Sequence, residues 1–550
     1  MNKIIFISDY YIDEILGGAE KNNDVFLQLV SSYYKVESIK SCKVTVDYIN
    51  KNIDKFFIIA NFFQLSEEAK NFLQEKCRYI IYEHDHKYTI NNNPAVFENY
   101  VVPDEFIINL DFYHKAEAVL CQSKLHSEIL YKNLLLQNIV NLGGNLWSDS
   151  DLSLLEKNIN TEKIIEYGIM ESKNKNKGFY NSVSFCEENK INYEIIKFDS
   201  YENFITQLSK VKNLIFFPQW IETYSRVAIE ARILKCKLIT NELIGASTEE
   251  YFSLKGIELL NVIKQNNFKI INKIINVIEK KQIENFKSFD LPKLTFITSL
   301  YKGEKYILNF MNNITNLNLF KYSELLIIDS DSPEKEFQTI QKFLITNNNI
   351  KYKRLAYNHT PAEVVNMCIE QSEGELVTTA PVDDIRDSNF IVYTIRNIVN
   401  NKDVSLVYGD CLQTNKENET MNSNSSKNLL YEHSISEFSK ENMVKCLPGP
   451  MPVWKKSIHK EIGLFRTDLK YPIDWEMWLR MVKFGFKFKK IHKIIGLYYF
   501  NQNGLTTAKS NAIVKQQEEA KVFFEYKEIF GSNYNKYKDY FLQFLKVQNE

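Results

Sequence analysis

No apolar run in this chain approaches the ~20 residues that a membrane-spanning helix needs. The opening Met1-Asn-Lys-Ile-Ile-Phe-Ile-Ser8 is too short for a signal-peptide core and reads as a buried first strand. Glycine (17) and proline (11) are scarce in 550 residues, which excludes collagen-like and low-complexity architectures. The eight cysteines (Cys42, Cys77, Cys121, Cys186, Cys236, Cys368, Cys411 and Cys446) contain no Cys-x-x-Cys pair and no regular spacing. Neither a disulfide framework nor a zinc site is expected, and a reducing cytoplasm is the expected setting. Charge of one sign is not in excess, with 68 Lys+Arg against 69 Asp+Glu. A general nucleic-acid binder needs a basic surplus, so nucleic acid is not an expected partner. No Gly-x-Gly-x-x-Gly follows any apolar run, which argues against a nicotinamide-dependent oxidoreductase. No repeat of solenoid length occurs.

What is present is a globular composition, 44% hydrophobic and 25% charged, in a length that suits two to four domains. Short apolar runs at 4–7, 56–59, 79–82, 118–120, 163–167, 193–198, 213–217 and 237–240 alternate with helical patterns. Alternation of this kind predicts α/β folding, with parallel sheets covered by helices. The pattern restarts near Leu142-Gly-Gly-Asn145, which predicts two Rossmann-like halves, 1–145 and 146–285. A charged stretch ending in Pro292 reads as a linker. A second block of runs at 294–298, 325–328, 376–379 and 405–408 predicts a separate domain over 293–510. The polar tract 413–428 reads as a mobile loop, and 511–550 as a helical extension.

Four segments of the second block end strands with polar groups or carry a carboxylate. They are Phe296-Ile-Thr-Ser-Leu-Tyr-Lys302, Ile327-Ile-Asp-Ser-Asp-Ser-Pro333, Gly374-Glu-Leu-Val-Thr-Thr-Ala-Pro-Val-Asp-Asp384 and Pro472-Ile-Asp-Trp-Glu-Met-Trp-Leu-Arg480. In an open α/β sheet, ligands bind outside the carboxyl ends of the strands, so these segments are expected to face one crevice. Thr298 and Asp329 are candidates to read a base and ribose, and Asp331 is a further candidate donor contact. Asp383 and Asp384 are candidate hard-oxygen ligands for Mg²⁺ or Mn²⁺ on a diphosphate. Asp474, at the start of a helical pattern, is expected to be held by free backbone N–H groups and the helix dipole and to accept a proton. Glu476 is the alternative base. Each piece alone has a plainer reading: Asp383-Asp384 as a strand-end turn, Asp329-Ser-Asp-Ser-Pro333 as a turn, and Trp475 and Trp478 as core packing.

Taken in order, residues 294–507 resemble the GT-A, family-2 glycosyltransferases, including Asn366 ahead of Cys-Ile-Glu-Gln-Ser-Glu-Gly-Glu375. The resemblance implies an inverting sugar transferase with Asp474 as base and a donor site that includes Asn366. Two positions depart from the family pattern. Pro381 replaces the first acid of Asp-x-Asp-Asp, and Asn501 or Gln502 stands where the family often has a His, since His492 lies too early.

In the first block, Glu222-Thr-Tyr-Ser-Arg-Val-Ala-Ile-Glu230 sets two carboxylates about two helical turns apart, one expected near a helix start and the other deeper on the same face. A Glu pair at this spacing is also an ordinary solvated face. Gly17-Gly-Ala-Glu20, Lys177-Gly178 and Asn241-Glu-Leu-Ile-Gly-Ala246 accompany it, and glycine loops let backbone amides approach phosphate. Together they resemble the GT-B, family-4 glycosyltransferases. That resemblance implies donor contacts from Gly17, Gly18, Lys177, Glu222 and Glu230, although the family's usual Arg is missing near Met170. Glu83-His-Asp-His-Lys87 ends a strand, where His84 or His86 is a candidate acceptor contact or packing residue. The combined resemblance implies nucleotide-diphosphate sugar donors and a glycan or lipid-linked glycan acceptor. It also implies a place in surface polysaccharide, lipopolysaccharide or capsule synthesis, with peripheral contact at the cytoplasmic face of the inner membrane.

Overall fold

The computed structural model describes residues 3–15, 17–282 and 284–546. The chain divides into two compact units, Met1–Phe289 and Asp290–Glu550. Among the described residues of the first unit are two parallel sheets. The larger has six strands in the order Lys35–Lys40, Lys3–Ser8, Phe56–Ile59, Arg78–Tyr82, Val119–Cys121 and Ile139–Asn141. The smaller runs Lys237–Thr240, Val211–Phe216, Ile165–Met170, Glu194–Ile196.

Central strands such as Phe-Phe-Ile-Ile (56–59) are buried along their whole length, as expected where helices cover both faces. The long helix Gly256–Ile278 serves both sheets. Its first turns place Leu259, Leu260 and Ile263 in the core of the smaller sheet, and its last turns place Ile270, Ile274 and Val277 in the core of the larger.

The second unit has one mixed sheet. Its strands run Ile350–Arg354, Glu324–Asp329, Leu294–Leu300, Leu376–Thr379, Val453–Lys455, Val404–Thr414, Lys487–Tyr499, Ile385–Arg386. The first four are parallel. Val453–Lys455 is antiparallel to both neighbours, and Ile385–Arg386 pairs antiparallel with the long strand Lys487–Tyr499. Trp475 and Trp478 are buried in its core. The Trp478 ring meets Trp454 edge-on at 5.1 Å, and the Trp475 indole N–H donates to the Met443 carbonyl at 2.7 Å.

Each unit has its own sheets and its own core, so cutting between Phe289 and Asp290 is expected to leave two soluble fragments. The check is one cooperative melting transition for each fragment. Aggregation of both would show that neither core suffices alone.

Candidate active site

The carboxyl ends of the central strands in the second unit open into a cavity of about 1180 Å³. Ser299 and Tyr301 lie at the end of one strand there, Ser330 follows the next, and Thr379, Ala380, Pro381, Asp383 and Asp384 lie at and beyond the end of a third. Asp474 faces the same cavity.

The helix carrying Asp474, Ile473–Lys483, begins one residue earlier than the carboxylate, with Pro472 as its N-cap. Asp474 therefore lies in the first turn, at the helix start. Its Oδ1 accepts the Trp475 backbone N–H at 2.8 Å, and the Cys446 thiol donates to Oδ2 at 3.5 Å. The residue is exposed at the cavity it lines, while neighbouring protein encloses its carboxyl. This enclosure pushes its pKa above the usual carboxylate range, and the backbone and thiol bonds oppose that rise. Glu476 is buried, ion-paired to Arg480 at 3.0 Å and bonded to the Tyr526 hydroxyl at 2.6 Å. A carboxylate committed in this way is not free to act as a base, which corrects the alternative assignment.

Asp383 and Asp384 both line the cavity. Burial raises both carboxyls, and the charge of Asp383 raises Asp384 further. Asp384 accepts the Tyr499 backbone N–H at 3.2 Å. Close by, Arg386 is fully buried. It donates to the Thr379 carbonyl at 2.7 Å, while its Nε and Nη1 have no hydrogen-bond partner. Among the described residues, no group of three His, Cys, Asp or Glu side chains gathers as a metal cage. The pair nevertheless suits a hard cation held jointly with a substrate diphosphate and water, because two crowded acids gain most from a cation between them. Asn501 also lines this cavity; of the two residues at the family's His position, it is the one that does so.

Four other predicted donor contacts are spent elsewhere. Strand alternation turns Thr298 away from the cavity, and its hydroxyl donates to the Ala380 carbonyl at 2.9 Å. Asp329 is buried against the Tyr352 hydroxyl (2.6 Å), Arg354 (2.9 Å) and the Ser332 N–H (2.7 Å). Asp331 has a left-handed φ of 56° and pairs with Arg354 at 2.8 Å. Asn366 clamps the Phe465 backbone through both ends of its amide. The cavity presents Ser299, Tyr301 and Ser330 instead. Tyr431 and His433, from the segment after the polar tract, and Lys515 and Glu519 also line it. Sequence reasoning did not select these residues, and no spacing or motif marks them.

In the first unit, the helix Arg226–Ile233 starts four residues after Glu222, behind Ser225 at a φ of 77°. Glu222 and Glu230 therefore do not share a helical face, which corrects the spacing argument. Lys177 Nζ donates to both Glu222 oxygens at 2.8 Å. Glu230 is buried, accepts the Tyr201 hydroxyl at 2.9 Å, and is raised by burial. Gly17 caps the helix Gly18–Val30, and a Cβ there would meet the Glu20 carboxylate at 2.1 Å.

The sequence reading gave Arg226 no role. It lies beside Gly18, stacks on Trp147 at 3.7 Å and pairs with Asp151 at 2.9 Å. His84 is buried between Asn23 and Gln122, and His86 is buried against Tyr88 and His126. Both are packing residues here.

Residues 295–463 match the family described as Glycosyl transferase family 2. The poly-beta-1,6-N-acetyl-D-glucosamine synthase of Staphylococcus aureus (strain COL) is 23% identical over 198 residues, 35% of this chain and 47% of that protein. The same enzyme of strain MRSA252 aligns to the same extent. This chain thus spans about half the length of the curated relatives it matches. Among solved structures, S. aureus TarS 1-349 in complex with UDP-GlcNAc gives a TM-score of 0.37 at 16% identity, covering 44% of this chain and 72% of that one. The mannosyltransferase PcManGT from Pyrobaculum calidifontis, in complex with GDP-Man and Mn2+, gives 0.34 at 14% identity, covering 46% and 70%. The second unit of this chain carries a glycosyltransferase domain of family 2.

Proposed function

We propose that the chain transfers sugars from nucleoside-diphosphate donors to a glycan or lipid-linked glycan acceptor, in the synthesis of a cell-surface polysaccharide. The observation that carries this is the meeting of Asp383, Asp384 and Asp474, distant in sequence, on one cavity within the matched domain region and its C-terminal continuation. In this reading the domain spans 293–510, with 511–550 as a helical extension.

Asp474 takes the proton of an acceptor hydroxyl. The acceptor oxygen forms its bond to the anomeric carbon as the bond to the diphosphate oxygen breaks, and the bonding electrons leave with the nucleoside diphosphate. A single displacement of this kind inverts the anomeric centre. Asp383, with Asp384 behind it, would hold Mg²⁺ or Mn²⁺; when bound, that ion neutralises the leaving charge. Ser299, Tyr301 and Ser330 orient the nucleotide. Screening nucleotide sugars for metal-dependent nucleotide release tests the reading, and no release from any donor would sink it.

For the first unit we propose a GT-B-like pair, 1–145 and 146–285, with Lys177 on a donor diphosphate, Glu222 on its sugar and Glu230 on its ribose. The paired Gly17-Gly18 helix start supports that reading. One observation favours a scaffold reading instead: Lys177 and Glu222 neutralise each other, and Glu230 is sealed behind Tyr201. A nucleotide-sugar titration of residues 1–289 separates the two. An active module should bind, and Lys177→Ala should weaken binding by ~1.5–3 kcal/mol, one to two decades. No binding of any nucleotide would leave only the second unit as a transferase. No helix among the described residues is long and apolar enough to cross a membrane.

A further inference from the structure

We propose that the two C-terminal helices, Ala512–Glu525 and Ser532–Lys546, form the acceptor subsite of the Asp474 cavity and recognise the terminal ring of a glycan through Tyr540 and the Lys515–Glu519 pair. The inference rests on Asp474 being the base. The helices lie after the region that matches the family, yet Lys515, Glu519, Tyr537, Tyr540 and Phe541 all line the cavity that holds Asp474.

The wall they make is built rather than incidental. Phe541 is buried and stacks on Trp475, the residue next to Asp474, with centroids 6.2 Å apart and planes at 26°. This contact ties the second helix to the helix that carries the base. Tyr540, one residue further back, remains 49% exposed. Its ring is held edge-on by Phe541 at 5.1 Å and Phe544 at 5.3 Å. A large aromatic ring, fixed in orientation yet open to a cavity, is a platform for an apolar ring face.

On the first helix, Lys515 and Glu519 are one turn apart and pair loosely at 3.7 Å, with 34% and 27% of their side chains exposed. Burial raises the Glu519 carboxyl, and the charge of Asp474 raises it further, so the two acids sense each other within the site. An ammonium donates and a carboxylate accepts, which matches the hydroxyls on a sugar's edge. Ring platform, donor and acceptor thus line the same cavity as Asp474. The acid pair and strand ends take the donor at Asp383.

The experiment uses the full chain, the nucleotide sugar found by donor screening, and an acceptor panel of aryl hexosides, aryl N-acetylhexosaminides and their short oligosaccharides. Tyr540→Ala and Glu519→Gln are expected to raise the acceptor KM about tenfold or more, the size of one lost ring or charged contact. The Kd for the nucleotide sugar, measured by calorimetry, should stay within about twofold. Tyr540→Phe should keep the wild-type acceptor KM, because the ring face is retained. An unchanged acceptor KM in both loss variants would overturn the proposal, as would an equal loss of donor affinity. Failure of the wild-type chain to bind any nucleotide sugar would overturn the transferase reading beneath it, and the subsite with it.

Discussion

Replacing Asp474 by asparagine is expected to lower sugar transfer by ~10²–10⁴-fold, the usual contribution of a positioned general base, while donor affinity is unchanged. Asparagine keeps the shape and retains an oxygen for the Trp475 N–H. What it loses is the ability to take a proton. The pH profile gives a second signature. Burial raises the Asp474 pKa, so the carboxylate forms at higher pH than it would in water. Transfer should climb as pH rises through that raised pKa and level off above it, and activity should be lost as pH falls. His433 lines the same cavity, and its positive form favours the carboxylate, so charging it works against the rise. Burial lowers the His433 pKa, which disfavours that positive form. In the asparagine variant the Asp474 limb should disappear. Wild-type transfer by that variant would remove Asp474 from the mechanism. Glu476 would not replace it, since Arg480 and Tyr526 hold both of its oxygens.

Asp383, Asp384 and Asp474 were legible in the sequence because each sits just past a strand end or at a helix start, where chain direction alone places a side chain. Residues one step inside an element were not. Thr298 looks equivalent to Ser299 in a string of letters, but a period of two sends one into the sheet's packing and the other into the cavity. Asp329 looked free because its partner Arg354 lies on Ile350–Arg354, a strand whose alternating Lys and Arg hide the apolar signal. Charged residues of this kind protect a sheet edge, and the strand is the edge of its sheet. Lys35–Lys40 was missed for the same reason.

The Glu222–Glu230 spacing misled for another reason. Counting eight residues assumes a continuous helix, whereas Ser225 takes a left-handed φ that delays the helix to Arg226. The wall formed by the terminal helices was not legible at all. It depends on Phe541 finding Trp475, a tertiary contact that carries no local pattern.

Asp383→Ala is expected to abolish metal-dependent donor binding, and excess chelator should reproduce the loss in the wild-type chain. A hard cation held by Asp383 would offset the charge of the donor diphosphate, so the fall in donor affinity should reach about two decades or more. Geometry selects Asp383 over its neighbour. Asp384 is buried and already accepts the Tyr499 N–H, whereas Asp383 is more open to the cavity. Asp384→Asn should therefore weaken metal dependence less than Asp383→Ala does. The competing possibility lies in the same site. Arg386 is a buried, fixed cation with two unpartnered nitrogens, and its charge already offsets that of both acids. If donor binding and transfer were undiminished in chelator, Arg386 would be the group that balances the acid pair, and the metal assignment would fall. With a metal in place, Arg386→Met should leave donor binding responsive to Mn²⁺. Without one, the same change leaves two crowded carboxylates without their main compensating charge, and donor binding should be lost at every metal concentration.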